Sequence, residues 1–369
     1  GLNFTFNRLN LVRGYLNGNH SSSSLVNHHY YGPVYVDTPT GKPFGIYHVT
    51  YNTRGVIFDD AFSGPSTAWL YVGARLNVNG TTYSYSTREN CWVNLKNPSG
   101  YYGTIDVFSQ VAPSGGNVGY GLIVGNGVTT SLPGTVNIHE KATLADRSSS
   151  VSTVGDITLK SLSFADQTRL SVGYSSSSGK SSTFTVTDSF SVAEGAKVEV
   201  YFPSTPASTS AGYYFPVLTV PAASELSLDN FYLTKGGTDQ GYGRGSLEIT
   251  EDEERGTKTL GIRYREWVRQ TTASGMNDSD DFETEADFGS AMTNAAKWSD
   301  NKVPHAGPIY YSGTDRRLRT PWSEKNADYE FAFPSDTLIV ENASTPPPKS
   351  YFSNPVSIIG RFTIHNHSL

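Results

Sequence analysis

The stretch that decides the fold is Asp156-Ile-Thr-Leu-Lys-Ser-Leu-Ser-Phe-Ala-Asp-Gln-Thr-Arg-Leu-Ser-Val-Gly-Tyr174, continued by Thr183-Phe-Thr-Val-Thr-Asp-Ser-Phe-Ser-Val-Ala-Glu-Gly-Ala-Lys-Val-Glu-Val200. Apolar residues stand at every second position: Ile157/Leu159, Leu162/Phe164, Leu170/Val172, Phe184/Val186, Phe190/Val192 and Val198/Val200. That period puts them on one face of successive short strands. Turn signals separate the runs, as in Ala193-Glu194-Gly195-Ala196 and Ser175 to Gly179. The same rhythm begins at Val136/Ile138 and Leu144, and similar segments open and close the chain, Leu2-Asn3-Phe4-Thr5-Phe6 and Arg361-Phe362-Thr363-Ile364. It fits the stacked rungs of a β-solenoid or the meander of a β-sandwich, and periodicity alone does not choose between them.

Composition agrees. Of 369 residues only 17% are charged, and 23 Tyr, 36 Gly and 19 Pro take the place of long-helix formers. An all-α fold is excluded and an α/β fold disfavoured. With 28 Lys+Arg against 34 Asp+Glu the net charge is −6, which argues against nucleic acid as the partner. No apolar run has the length of a membrane-spanning helix. The lone Cys91 excludes an internal disulfide framework and a multi-cysteine metal site. The first residue is Gly1 and the last, Leu369, ends a strand-like segment, so the chain reads as a piece of something longer.

Four regions are expected: 1–133, solenoid rungs with an aromatic-rich insertion; 134–269, regular rungs ending in a hairpin; 270–328, an acidic, Pro-containing connector; and 329–369, the start of a next unit. The hairpin is read at Leu247-Glu248-Ile249 and Thr259-Leu260-Gly261-Ile262 around Glu251 to Glu254, and a short helix at Phe288 to Trp298. Phe331/Phe333 with Leu338 and Val340 echo Phe4/Phe6 with Leu9 and Leu11, as a tandem repeat would.

Several blocks resemble extracellular, autotransporter-passenger-like bacterial surface proteins built from β-strand repeats. They are Gly100-Tyr-Tyr-Gly-Thr-Ile-Asp-Val107, Tyr214-Phe-Pro-Val-Leu-Thr-Val-Pro-Ala-Ala-Ser-Glu-Leu-Ser227 followed by Asp229 to Leu233 and Lys258 to Ile262, and Trp298-Ser-Asp-Asn-Lys-Val-Pro304 followed by Leu318-Arg-Thr-Pro321. The blocks are scattered over about two thirds of the chain and occur in the family's order; residues 12–54 fall outside them. The resemblance implies a right-handed parallel β-helix displayed outside the cell and usually no catalytic role.

The candidate chemistry is sparse. Glycoside cleavage needs two convergent carboxylates, and Asp59, Asp60, Asp106 and Asp156 qualify only by type. His28-His29 are adjacent and cannot share a site from one regular strand, and His365-x-His367 lacks a third ligand. Asp278, Asp280, Asp281 and Glu283 offer hard oxygen ligands to calcium, without the spacing of an EF-hand loop. No other cofactor is implied. Trp69, Trp92, Tyr101 and Tyr102 are the candidate aromatic platform for glycans, since outward rings stack on sugars with little loss of entropy. The terminal-strand residues Phe4, Phe6, Leu9, Leu11, Phe362 and Ile364 are the candidate assembly surface, joining copies or neighbouring repeats by strand addition. The expectation is a non-catalytic structural or adhesive surface protein; the alternatives are a polysaccharide-cleaving β-helix and a carbohydrate-binding module within residues 30–110.

Overall fold

The computed structural model describes residues 2–17, 26–47, 53–76, 83–85, 92–110, 121–147, 151–175, 177–202, 213–235, 245–269, 295, 298–312, 331–333, 335, 337–342, 356–358 and 361–366. Among them the protein is all-β, with no α-helix, and its strands gather mainly into two long sheets.

The first sheet takes, in spatial order, Leu2–Thr5, Val26–Tyr31, Thr53–Gly64, Trp92–Tyr101, Gly121–Val124, Thr143–Ala145, Thr168–Ser171, Val198–Phe202 and Phe231–Lys235, with Leu9–Leu11 and Val34–Val36 alongside. The second takes Tyr15–Asn17, Phe44–Tyr47, Trp69–Val72, Thr104–Val107, Thr130–Ile138, Ile157–Phe164, Phe184–Val192, Tyr213–Pro221, Thr257–Tyr264 and Gly245–Asp252. From Phe44 to Pro221 the chain alternates between the two, with a strand or strand pair in one followed by a strand in the other. The neighbouring strands pair in parallel along both sheets up to Tyr213–Pro221, which a meander does not produce.

Alternation in the sequence becomes columns in the structure. Val56, Val93, Leu122, Leu144, Leu170 and Val200 stand in register across six strands of the first sheet, each fully buried. Leu70, Ile105, Val136, Leu162 and Phe190 do the same in the second. The sheets meet through such residues: the ring of Phe202 lies 5.3 Å from that of Phe215. Each buried side chain of this size contributes about 1.5–3 kcal/mol, so the core grows rung by rung.

Four-residue corners return the chain from the second sheet to the first. At His139–Ala142 and Ala193–Ala196 the fourth N–H donates to the first carbonyl, and Lys141 (φ 66°) and Gly195 (φ 71°) hold the left-handed third position. Gln167 (φ 56°) does so in the corner between Ala165 and Thr168. At Gly134 a Cβ would collide with the Gly103 carbonyl of the preceding rung, so glycine permits the close approach of the two backbones.

Two compact units divide the chain. The first comprises 1–206, 214–240 and 246–262, and the second 207–213, 241–245 and 263–369. The boundary expected at 133/134 falls inside the strand Thr130–Ile138. The connector expected at 270–328 is corrected in part, since Ile309–Ser312 is a sheet strand within the second unit. That unit holds the parallel set Trp267–Arg269, Ile309–Ser312, Thr337–Asn342 and Arg361–Asn366, and the parallel pair Phe331–Phe333 with Val356–Ile358. Trp298 is fully buried there, edge-on to Tyr310 at 4.8 Å. The helix expected at Phe288 to Trp298 lies largely outside the described residues. The expected hairpin is present: Gly245–Asp252 and Thr257–Tyr264 are neighbours joined by a turn with Gly256 at φ 62°.

Candidate functional site

The outer side of the second sheet carries two columns. One runs Trp69, Thr104, Thr135, Ser161 and Ser189, the other Tyr71, Asp106, Asn137, Ser163 and Ser191. These are the polar positions between buried neighbours, such as Ile105-Asp106-Val107, Val136-Asn137-Ile138 and Leu162-Ser163-Phe164.

Asp106 organises this face at one end. It is 6% exposed and accepts from the Trp69 indole N–H and from Asn137 Nδ2 at 3.0 Å, while His139 Nε2 lies 2.8 Å from its Oδ1. Ser163 Oγ donates to Asn137 Oδ1 at 2.8 Å, carrying the network one rung further. The His139 ring stacks on Phe108 at 4.2 Å and 6°, Phe108 meets Tyr71 edge-on at 5.1 Å, and Tyr71 meets Trp69 at 5.2 Å. A nearly buried carboxylate thus locks an indole and an imidazole into fixed positions, with the His139 side chain 42% exposed. These contacts make the arrangement a pre-ordered platform.

Beyond Thr185, where the pairing of Phe184–Val192 with Tyr213–Pro221 ends, a cleft of about 810 Å³ opens beside Ser189 and Ser191, the last members of the two columns. It is bounded by Asp188 to Val192, the loop from Pro221 to Ser227, Asn230 and Lys258. Phe190 and Leu226 supply apolar lining, and four serines line it with hydroxyls.

The four rings expected to form a platform do not gather. Trp69 belongs to the cluster just described. Trp92 stands on the outer side of the first sheet, 8% exposed, packed with Ile57, Ile123 and Ala145 and lying across Gly55, where a Cβ would strike the indole. Tyr101 is fully buried and donates its hydroxyl to the Thr104 carbonyl; burial pushes its hydroxyl far above the usual range. Tyr102 alone is open, at 58%. His139, Phe108 and Asn137 were not anticipated, although aligning the Ile-Asp-Val, Val-Asn-Ile and Leu-Ser-Phe triplets would have placed three of these polar residues in one column.

The carboxylates named by type are dispersed. Asp59 receives the Lys96 ammonium on one oxygen and His29 Nδ1 at 2.8 Å on the other, and the Asp60 carboxylate accepts the Gly32 N–H. His28 points into the core, 3% exposed, while His29 points out, as adjacent strand residues must. Asp146, 1% exposed at the end of Thr143–Ala145, has its carboxyl pushed up to about 7 by burial, with Ser182 and Arg147 opposing the shift. Among the described residues no group of three or more His, Cys, Asp or Glu is placed to hold a metal; the calcium candidates Asp278, Asp280, Asp281 and Glu283 lie outside them, as does His367.

Leu2 and Phe4 continue inward columns whose next members, His28 and Tyr30, are buried, yet they are 41% and 40% exposed on the unpaired edge of the first sheet. Phe4 stacks on Tyr30 at 4.9 Å; Phe6 and Leu9 are half-buried and Leu11 is buried at 3%. Phe362 and Ile364 lie in Arg361–Asn366, in register with Leu338 and Val340.

No helix among the described residues is long and apolar enough to cross a membrane. No family model, curated protein or solved structure matches the chain.

Proposed function

We propose that this chain is a non-catalytic structural or adhesive protein of an extracellular surface, of the autotransporter-passenger-like kind. In this reading its two sheets are faces of a right-handed parallel β-helix with inserted loops. The observation that carries it is the pair of parallel ladders, each with an inward column of buried side chains stacked rung on rung. An unpaired strand with apolar side chains on its inward face favours addition of another parallel strand. In this reading Leu2–Thr5 pairs with Arg361–Asn366 of a second copy or of a neighbouring repeat.

The echo noticed in the sequence supports this. Phe4 pairs with Tyr30 and Leu9 with Val34; Phe331 pairs with Val356 and Leu338 with Phe362. In every case the partner pairs in parallel 24 to 26 residues further along, within one sheet for the first pair of segments and in two separate sheets for the second. Polysaccharide cleavage finds less support, because Asp106 and Asp59 lie on different sheets and each is already engaged by several donors.

Negative-stain electron microscopy of concentrated protein tests the assembly. End-to-end rods or filaments are expected, shortened by Phe4→Lys. Isolated particles of one size in both proteins would overturn it.

A further inference from the structure

We infer that the outer face of the second sheet is a binding groove for an extended, neutral glycan, running from the Trp69–His139 platform to the cleft at Ser189 and Ser191. This does not depend on end-to-end assembly, since every residue involved lies within the first compact unit.

The geometry comes first. Asp106, Asn137, Ser163 and Ser191 occupy successive rungs of one column, so the platform and the cleft are three strand spacings apart, about 14 Å along the face. The face between them carries short polar side chains, Thr104 and Thr135 in one column and Asn137 and Ser163 in the other, all half-buried. A shallow track of hydroxyls and amides therefore joins a ring cluster to a concave site.

The chemistry selects the occupant. A sugar ring presents C–H groups on its faces and hydroxyls around its rim, so it stacks on aromatic faces while its rim exchanges hydrogen bonds with hydroxyl, amide and carboxylate groups. The platform offers the rings, fixed in advance by Asp106, so little freedom is lost on binding. In the cleft, serine hydroxyls and the carboxylates of Asp188 and Glu225 surround apolar lining from Phe190 and Leu226. Two carboxylates against the one ammonium of Lys258 disfavour a polyanion, whether nucleic acid or acidic polysaccharide. A polypeptide adding as a strand would seek a sheet edge, whereas from Asp106 to Ser163 the face belongs to strands paired on both sides.

Affinity electrophoresis of the full chain tests the groove, in gels containing a soluble β-glucan, a xylan or a mannan, with polygalacturonate as the acidic control. Retardation by at least one neutral polymer is expected. His139→Ala, at the platform, and Ser191→Arg, at an exposed position in the cleft, should each weaken it about tenfold. The inference is overturned by no retardation in any neutral polymer, by retardation in polygalacturonate alone, or by equal retardation of wild type and both variants.

Discussion

The two sheets share one construction on the inside and differ on the outside. On the second, most outward positions are half-buried or open, among them Thr104, Thr135, Asn137, Ser163, Ser189 and Ser191, while Tyr71, Asp106 and Ser161 are buried. On the first, the outward column Trp92, Gly121, Thr143, Arg169 and Glu199 is buried, with Thr143 at 0%, Arg169 at 2% and Glu199 at 6%. There Arg169 grips Glu199 with two parallel bonds of 2.9 Å, its guanidinium lies 4.7 Å from the centre of the Tyr201 ring, and Thr234 Oγ1 adds a contact to the carboxylate. The same strand pattern thus yields a closed face and an open one.

The largest test of this contrast breaks the ion pair. Glu199→Ala leaves a buried guanidinium without its carboxylate and should cost about 3–5 kcal/mol, whereas Ser191→Ala on the open face should stay within about 0.5 kcal/mol. Urea unfolding of the two variants measures both; similar losses would erase the distinction. The double change Arg169→Met with Glu199→Leu should recover most of the lost stability, because the desolvation cost disappears with the charges.

A smaller effect sharpens the comparison through pH. Asp146, at the end of the first-sheet strand Thr143–Ala145, has a folded-state value of about 7 against about 3.9 for an unfolded aspartate. The folded state therefore holds an extra proton between these values. Its stability should fall as pH rises from about 4 to about 7 and level off above. Asp146→Asn removes this dependence and should stabilise the protein by about 2 kcal/mol at pH 8, with a much smaller difference at pH 4.5. Thermal melts at the two pH values provide the measurement, and an equal difference at both would contradict the buried-acid account. The smallest effect belongs to the corners that join the faces. Gln167→Gly relieves a left-handed side-chain conformation and should add about 0.5 kcal/mol, less the extra entropy of the unfolded chain.

Alternation made the strands legible, together with the hairpin near Glu251 and the inward columns. Pairing was not legible, because successive members of the column Val56, Val93, Leu122, Leu144, Leu170 and Val200 are separated by 22 to 37 residues. No fixed repeat length exists for a periodicity search to find. The platform was hidden for the same reason: Trp69 and His139 stand 37 and 33 residues from Asp106, and only register unites them. Arg169 and Glu199 show the opposite case. In Thr-Arg-Leu-Ser and Val-Glu-Val-Tyr they fill the positions a solvated face would use, and their burial follows from an ion pair 30 residues apart in sequence. The four named aromatics were chosen by type, while type does not decide between Trp69 on the open face and Trp92 on the closed one.

The unequal rungs have a consequence for change over time. The antiparallel pairs Ala74–Leu76 with Tyr83–Tyr85, and Tyr174–Ser175 with Lys180–Ser181, leave the chain between ladder strands, and the columns resume their register beyond them. A longer excursion costs only a logarithm of its length in closure entropy. Such a chain can acquire, lengthen or discard a surface hairpin in one place without renegotiating the stack, so new epitopes can be tried at the tip near Gly179 while the scaffold beneath stays as it was.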